Sequence, residues 1–450
     1  MAILSTLMMG LAVLAICRWE VWFHNPDETP YTAPDTPSHI LLTFGYNCYL
    51  SRNVSWTCGD EVRESCVELV DETDSAELCT VVPAEGEVFE SRSGKAAYYV
   101  ARLRGLRVGH RYQYRVQTGD EYSDWYTFQL PSSEERETSF IYMGDIQDTI
   151  GGVANQLLRE AFRRNADAEF FVSGGDLTER PTDAFWAETF ASLDSVGQTL
   201  PVLTVTGNHD YLKGVVCRLE RRFSLIHSYY LDSMVGDNQV FTIRCKNLQL
   251  FCLDSNRELP GLLAQRKWLK EQLAASRATW KVVVLHHPLY SIMSNSNNLI
   301  QRWVFDGLIR EYGVDLVLQG HEHAYARMTQ HEQGQPTTPI YTVSHCSPKN
   351  YKIEFNDRFD KFGSGSRYYQ KIRTAGDTLF VAAYDALDHT LYDSLQVVKR
   401  GQHIEVMDLG QSLPERITFT PRPGKASDAA FAERIRVYQE TKKSKHNNKK

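Results

Sequence analysis

The chain has 450 residues, enough for two domains and a large core. Its 42% hydrophobic and 23% charged fractions are ordinary for a soluble globular protein. The net charge of −7, with no basic stripe through the body, excludes nucleic acid as an obvious partner. Ala2 to Ile16 is uncharged and apolar apart from Ser5 and Thr6. A membrane span needs about 20 such residues, so this shorter run fits a signal-peptide core. The expectation is export, with residues 1–24 as signal peptide or membrane anchor; the alternative is a buried N-terminal helix in a cytosolic protein.

Residues 25–37, rich in Pro, Asp and Thr, read as a linker. From 38 to 131 the pattern is all β: short alternating runs at His39–Phe44, Val54–Cys58, Glu87–Phe89, Ala96–Arg102, Arg111–Thr118 and Ser123–Leu130, separated by turns such as Thr118-Gly119-Asp120. This predicts a small β-sandwich, and Ala101–Leu106 with Tyr112–Val116 resembles a fibronectin type III domain. Cys48, Cys58, Cys66 and Cys79 crowd into this segment, as one or two disulfides or as buried thiols.

After Pro131 strands alternate with helices, and a catalytic domain is expected over 136–420. Strands are predicted at 139–143, 169–172, 202–205, 240–244, 248–253, 281–285, 315–318 and 340–343. Helices are predicted at 153–164, 184–193, 262–275 and 301–312. Pro348 to Gly376, polar and bearing several Lys, Arg and Tyr, reads as a lid or a surface loop. Residues 421–450 read as a basic C-terminal helix and a solvated tail.

Five polar motifs end apolar strands: Gly144-Asp145-Ile146-Gln147-Asp148, Gly175-Asp176-Leu177-Thr178-Glu179, Gly207-Asn208-His209-Asp210, His286-His287-Pro288 and Gly320-His321-Glu322-His323. Carboxylate, amide oxygen and imidazole are the donors that hold borderline or hard divalent metals. Strand ends are where a layered α/β sheet gathers its functional loops. A metal pair about 3.5–4 Å apart suits in-line displacement at phosphorus.

The motif set and its order resemble the calcineurin-like metallophosphoesterases, and the preceding β-sandwich resembles the purple acid phosphatases in particular. The resemblance implies a two-sheet αββα sandwich with two divalent metals, Fe, Zn or Mn, at one sheet edge. It makes Asp145 and His323 ligands of the first metal and Asp176 the bridge. Asn208, His286 and His321 become ligands of the second. His209 resembles the family's general acid, a task suited to a group that titrates near neutrality. Asp210 would orient that ring or form the turn. Two positions depart from the family: Glu179 stands where purple enzymes carry tyrosine, and Gln147 where many non-purple relatives carry histidine, so Gln147 is a weaker candidate ligand. His287 is a supporting or substrate-contacting residue, and His345 and Asp254 are structural. Ser294 to Asn298 can hydrogen-bond a phosphate but cannot protonate a leaving group. The implied activity is hydrolysis of phosphate monoesters of small molecules, by hydroxide held between the ions attacking phosphorus in line. A phosphodiesterase or nucleotide pyrophosphatase and a catalytically weak surface-binding protein are the alternatives.

Overall fold

A computed structural model describes residues 9–447 apart from 11–12, 15, 20–22, 47–49, 75–77, 133–135, 215, 230, 232–234, 237–238, 294–295 and 402. Much of the apolar N-terminal segment, Cys48, and Ser294 and Asn295 thus lie outside the described residues. Among those described, no helix is long and apolar enough to cross a membrane.

β1 (Ser38–Phe44), β2 (Ser51–Thr57), β3 (Ser65–Asp71), β4 (Cys79–Glu90), β5 (Lys95–Arg104), β6 (Arg111–Thr118), β7 (Glu121–Tyr122) and β8 (Tyr126–Gln129) build an antiparallel sandwich. β4 serves both layers: Cys79–Pro83 pairs with β3, and Ala84–Glu90 pairs with β5. Alternation in β6 turns Tyr112, Tyr114 and Val116 onto Trp56 and Tyr99 in the core. Cys58 and Cys66 are separate thiols, donating to the Asp35 carbonyl and to Gln117 Oε1, and Cys79 is an exposed thiol. The stretch 25–37 is an extended strap pinned to both parts of the molecule, not a loose tether. Glu28 sits 2.7 Å from Arg92 and 2.8 Å from Arg222, and Asn25 exchanges hydrogen bonds with the Lys213 backbone.

The rest of the chain runs β9 (Glu137–Met143), α1 (Ala154–Arg164), β10 (Phe170–Ser173), α2 (Asp183–Ser192), α3 (Val196–Thr199), β11 (Val202–Thr204), β12 (Tyr211–Leu212), β13 (Arg218–Leu219) and α4 (Arg221–Ile226). It continues through β14 (Phe241–Cys245), β15 (Leu248–Cys252), α5 (Leu259–Ala275), β16 (Trp280–Leu285), α6 (Leu299–Glu311), β17 (Leu316–Gln319), β18 (Tyr325–Glu332) and β19 (Gln335–Val343). It closes with β20 (Lys361–Gly363), β21 (Tyr368–Ala375), β22 (Thr378–Asp385), β23 (Leu391–Arg400), β24 (His403–Asp408) and α7 (Ala426–Asn447).

Two seven-stranded sheets face each other, ordered β11-β10-β9-β21-β22-β23-β24 and β14-β15-β16-β17-β19-β18-β20. β15, β16 and β17 pair in parallel and are covered on both faces, which is why they read as nearly unbroken apolar runs. In β16, Val282 and Val284 enter the core between the sheets, while Val283 and Leu285 pack under α5 and α6. Leu157, Leu158 and Phe162 of α1 cover the other sheet with Trp186 and Phe190 of α2. The layers are therefore αββα. α7 is fixed to the body by Phe431, Ile435 and Tyr438, with Tyr438 stacked 4.2 Å from Phe355.

The segment read as a lid or a surface loop holds two strands, β20 and β21. Residues 368–375 are a central strand, β21, hydrogen-bonded between β9 and β22. Residues 347–360 form a loop over the sheet ends, and Ile353 anchors it in the core. β21 carries Gln, Lys, Arg and Thr, so composition hid its role.

Burial near α4 makes one stability prediction. His227 is enclosed by Phe223, Trp186 and Tyr229, and its Nδ1–H donates to the Phe223 carbonyl at 3.2 Å. Burial lowers its pKa from 6.5 to about 4, against a smaller opposing pull from that carbonyl. The folded chain therefore refuses a proton that the unfolded chain accepts below pH 6.5, so stability falls between pH 6.5 and 4. At about 1.4 kcal/mol per unit the loss approaches roughly 3 kcal/mol. Urea unfolding at pH 7 and pH 4.5 should show a drop of roughly 2–3 kcal/mol from this residue, absent in His227→Phe.

Candidate metal centre

The motif residues meet at the carboxyl ends of β9, β10, β11, β16 and β17, where each strand turns sharply. Asp145, Asp176 and His321 have positive φ, 47°, 53° and 66°, a conformation costly for residues with a side chain. The glycine before each permits close backbone crossing. A Cβ on Gly144 would lie 2.5 Å from the Ser344 carbonyl, and one on Gly320 would strike the Asp145 carboxylate. A Cβ on Gly207 would strike Asp176. The motifs are thus Gly-Asp and Gly-His because the loops interlock.

Asn208 Oδ1 lies 3.1 Å from His286 Nε2 and 2.8 Å from His321 Nδ1, and those two nitrogens are 3.3 Å apart. Asp176 Oδ2 is 3.3 Å from His286 Nε2. Asp145 Oδ1 is 3.4 Å from His323 Nε2, and the Gln147 amide nitrogen is 3.1 Å from the same atom. Oxygen or nitrogen atoms of Asp145, Asp176 and His286 all lie within 4.8 Å of one another. All six side chains predicted as firm ligands converge, and Gln147 joins them.

Protonation follows from this crowding. Burial disfavours a charged His286, but the Asp176 carboxylate outweighs it and lifts the pKa to about 9. Burial likewise opposes ionisation of Asp176, yet His286 and His209 hold its carboxyl well below the usual range. Burial, reinforced by His286, lowers His321 to about 4, leaving a neutral ring. His286 Nδ1–H donates to the Gly174 carbonyl at 2.8 Å and so aims Nε2 into the cluster.

Donor chemistry and unsatisfied atoms both fit cations here. Asp145 Oδ1 and Gln147 Oε1 are buried without a hydrogen-bond partner among the described residues. Turning the Gln147 amide over places its oxygen beside His323 Nε2. Carboxylate, amide oxygen and imidazole together suit borderline divalent metals.

His209 stands at the margin. Its backbone N–H donates to Asp176 Oδ1 at 2.8 Å, and its Nε2 lies 3.9 Å from Asp176 Oδ2. Its Nδ1–H donates to the Glu179 carbonyl at 2.6 Å, which leaves Nε2 facing the cluster. The orienting role expected of Asp210 falls to that carbonyl. Asp210 is fully buried and accepts from Gly207 N at 2.7 Å, so it shapes the turn, and burial beside the Asp176 charge raises its pKa well above normal.

Of the other residues around the cluster, Tyr351 and Lys349 lie outside the motifs. Tyr351 stacks 4.2 Å from the His323 ring at an interplanar angle of 4°, and His345 stacks 5.3 Å from that ring. Lys349 on the same loop pairs with the Glu179 carboxylate. Glu322 accepts from Ile292 N at 2.6 Å and ties the His321–His323 turn to the loop after β16. The only sequence sign of Tyr351 and Lys349 was the excess of Lys and Tyr in the stretch read as a lid. His287 is held through Nδ1 by the Ser255 hydroxyl at 3.0 Å and packs 4.3 Å from His321, a supporting place. Asp254 accepts from the Tyr211 hydroxyl and from Asn256 N, a structural one.

Fold and site together define a metallophosphoesterase, and comparison with known proteins makes the assignment specific. Residues 138–325 match the calcineurin-like phosphoesterase model, and residues 37–130 match the purple acid phosphatase N-terminal domain model. The chain thus carries a calcineurin-like metallophosphoesterase domain behind a purple acid phosphatase N-terminal domain, and is by class a metal-dependent phosphoric ester hydrolase. It is 23% identical to purple acid phosphatase 23 of Arabidopsis thaliana, over 70% of this chain and 78% of that protein. It is 24% identical to the phosphoenolpyruvate phosphatase of Allium cepa, over 49% of this chain, and spans about half of that protein (48%). The purple acid phosphatase from yellow lupin (Lupinus luteus) seeds superposes with a TM-score of 0.70 at 16% identity, over 82% of this chain and 76% of that one, which speaks to fold alone.

Proposed function

We propose that this protein hydrolyses phosphate monoesters at a two-metal centre. Asp145, Gln147 and His323 would hold the first metal, Asn208, His286 and His321 would hold the second, and Asp176 would serve both. The observation that carries this reading is the convergence of Asn208 Oδ1, His286 Nε2 and His321 Nδ1 within 3.3 Å, with Asp176 Oδ2 beside them. When bound, the two ions lower the pKa of a water and neutralise charge on the phosphoryl oxygens. The chain's own residues do the rest. The Gly174 carbonyl fixes the His286 ring through Nδ1–H, and the Tyr351 stack fixes the ring of His323. His209, aimed by the Glu179 carbonyl, delivers a proton from Nε2 to the departing oxygen. The test is turnover of an aryl phosphate monoester and its diester with Mn²⁺ or Zn²⁺. A metal-dependent preference for the monoester supports the reading; preference for the diester makes the protein a phosphodiesterase.

Gln147 decides how firmly the first metal is held. Its amide lies within the cluster, which argues against a protein that has lost this site. Gln147→Ala should weaken first-metal affinity by about 10–100-fold, and Gln147→His should tighten it. Metal titration followed calorimetrically reads both; equal affinity in all three proteins removes Gln147 from the ligand set.

A further inference from the structure

α5 and α6 are the crossover helices that follow β15 and β16, so they lie side by side on one face of the sheet and both begin at the end that carries the metal cluster. Gln301 Nε2 donates to the Ser255 carbonyl at 3.2 Å in the loop before α5, and Arg266 of α5 donates to the Val304 carbonyl of α6, which ties the two helices to each other. Their first turns carry five exposed large apolar side chains: Leu259 and Leu263 on α5, and Leu299, Ile300 and Trp303 on α6. Trp303 is 68% exposed, and its indole makes no hydrogen bond among the described residues. Soluble proteins rarely leave such a cluster open without a use for it.

Charge says what the cluster fits. Along the same outward faces, at i+4 and i+7, the apolar turns give way to basic ones: Lys267 and Lys270 follow Leu263, and Arg310 follows Trp303. Arg302 adds a guanidinium 5.2 Å from the centre of the Tyr290 ring. Arg310 is paired with Asp306 at 2.9 Å, but Lys267, Lys270 and Arg302 have no carboxylate within ion-pair distance among the described residues. With Glu258, Glu271, Asp306 and Glu311 counted, residues 257–275 and 299–311 still carry six Lys or Arg against four Asp or Glu, on a chain of net charge −7. An apolar tip with an exposed tryptophan and a basic collar behind it matches a bilayer surface, with apolar groups below the headgroups and cations at their level.

We infer that the face formed by the first turns of α5 and α6 docks on an anionic lipid surface, with Trp303 and Ile300 inserted and the basic band against the headgroups. This goes beyond the proposed activity and does not depend on it. It also places the metal-bearing end of the sheet toward the bilayer.

The test is flotation of the full metal-loaded chain with phosphatidylcholine vesicles, with and without phosphatidylglycerol, at low and high salt. Binding should require phosphatidylglycerol and weaken with salt. The Ile300→Ser/Trp303→Ser variant should lose binding about tenfold or more while keeping its turnover of a soluble aryl phosphate. Brominated phosphatidylcholine mixed into the anionic vesicles should quench a tryptophan signal that is missing in Trp303→Phe. That arm reads insertion at this residue even if the double variant folds poorly or the apolar N-terminal segment also binds lipid. Equal flotation of wild type and double variant, with the same quenching in Trp303→Phe, overturns the inference. So does a wild-type dimer that the double variant breaks, which would make this face a contact between copies of the chain.

Discussion

Asp176→Asn is expected to abolish turnover and the retention of two metals while leaving the fold in place. The carboxylate is 1% exposed and meets three groups: His209 N at 2.8 Å, His286 Nε2 at 3.3 Å and His209 Nε2 at 3.9 Å. Asparagine has almost the same volume, so packing survives. Its single carbonyl oxygen cannot serve two cations, and the negative charge that balances them is gone. A loss of several kcal/mol of charge stabilisation, at 1.36 kcal/mol per decade, slows turnover by about 10³-fold or more. Metal content by plasma emission should fall below two ions per chain, and a thermal melt should still show a cooperative transition. Near-normal turnover with two metals retained would take Asp176 out of the chemistry.

How much of this was legible follows from what each contact is made of. β16 announced itself because both of its faces are buried, so six apolar or aliphatic-stemmed residues run together before His286. The glycines before Asp145, Asp176 and His321 were equally plain, since close loop crossings with positive φ leave few other choices. β21 was not legible: its Gln370 and Thr374 are buried, Gln370 by hydrogen bonding to Ser344, so a central strand carries a loop's composition. β4 was read as three residues around Val88, whereas it spans twelve because it leaves one layer of the sandwich for the other. Whether Asp210 orients His209 or forms the turn was left open by the pattern, because the partner of the ring is the Glu179 backbone carbonyl, and a carbonyl leaves no mark in a side-chain pattern. Tyr351 and Lys349 reach the cluster from a loop that α7 buttresses, through Lys352 on Asp428 at 2.6 Å and Phe355 on Tyr438, a dependence between segments far apart in the chain.

His209→Ala should separate proton delivery from metal binding. The ring is part-exposed, and among the described residues only its Nδ1 is engaged within hydrogen-bond range, by the Glu179 carbonyl. Its backbone N–H to Asp176 does not need the imidazole. Both metals should therefore stay, at near-normal affinity. Turnover should fall by about 10²–10⁴-fold, the usual worth of a positioned general acid. The size of the loss should track the leaving group. An alkyl phosphate releases a strongly basic alkoxide and needs the proton, so it should show the full loss. An acidic phenol departs as its anion and should show much less. Plotting the wild-type to variant ratio of kcat/KM against leaving-group pKa is the measurement, and a steep positive slope is the expected result. A flat plot with a uniform loss would mean that removing the ring disturbs Asp176 or the metals, and would assign His209 to positioning. A flat plot with no loss would mean that the proton comes from another group, and Lys349, paired with Glu179 beside the same ring, is the group to vary next.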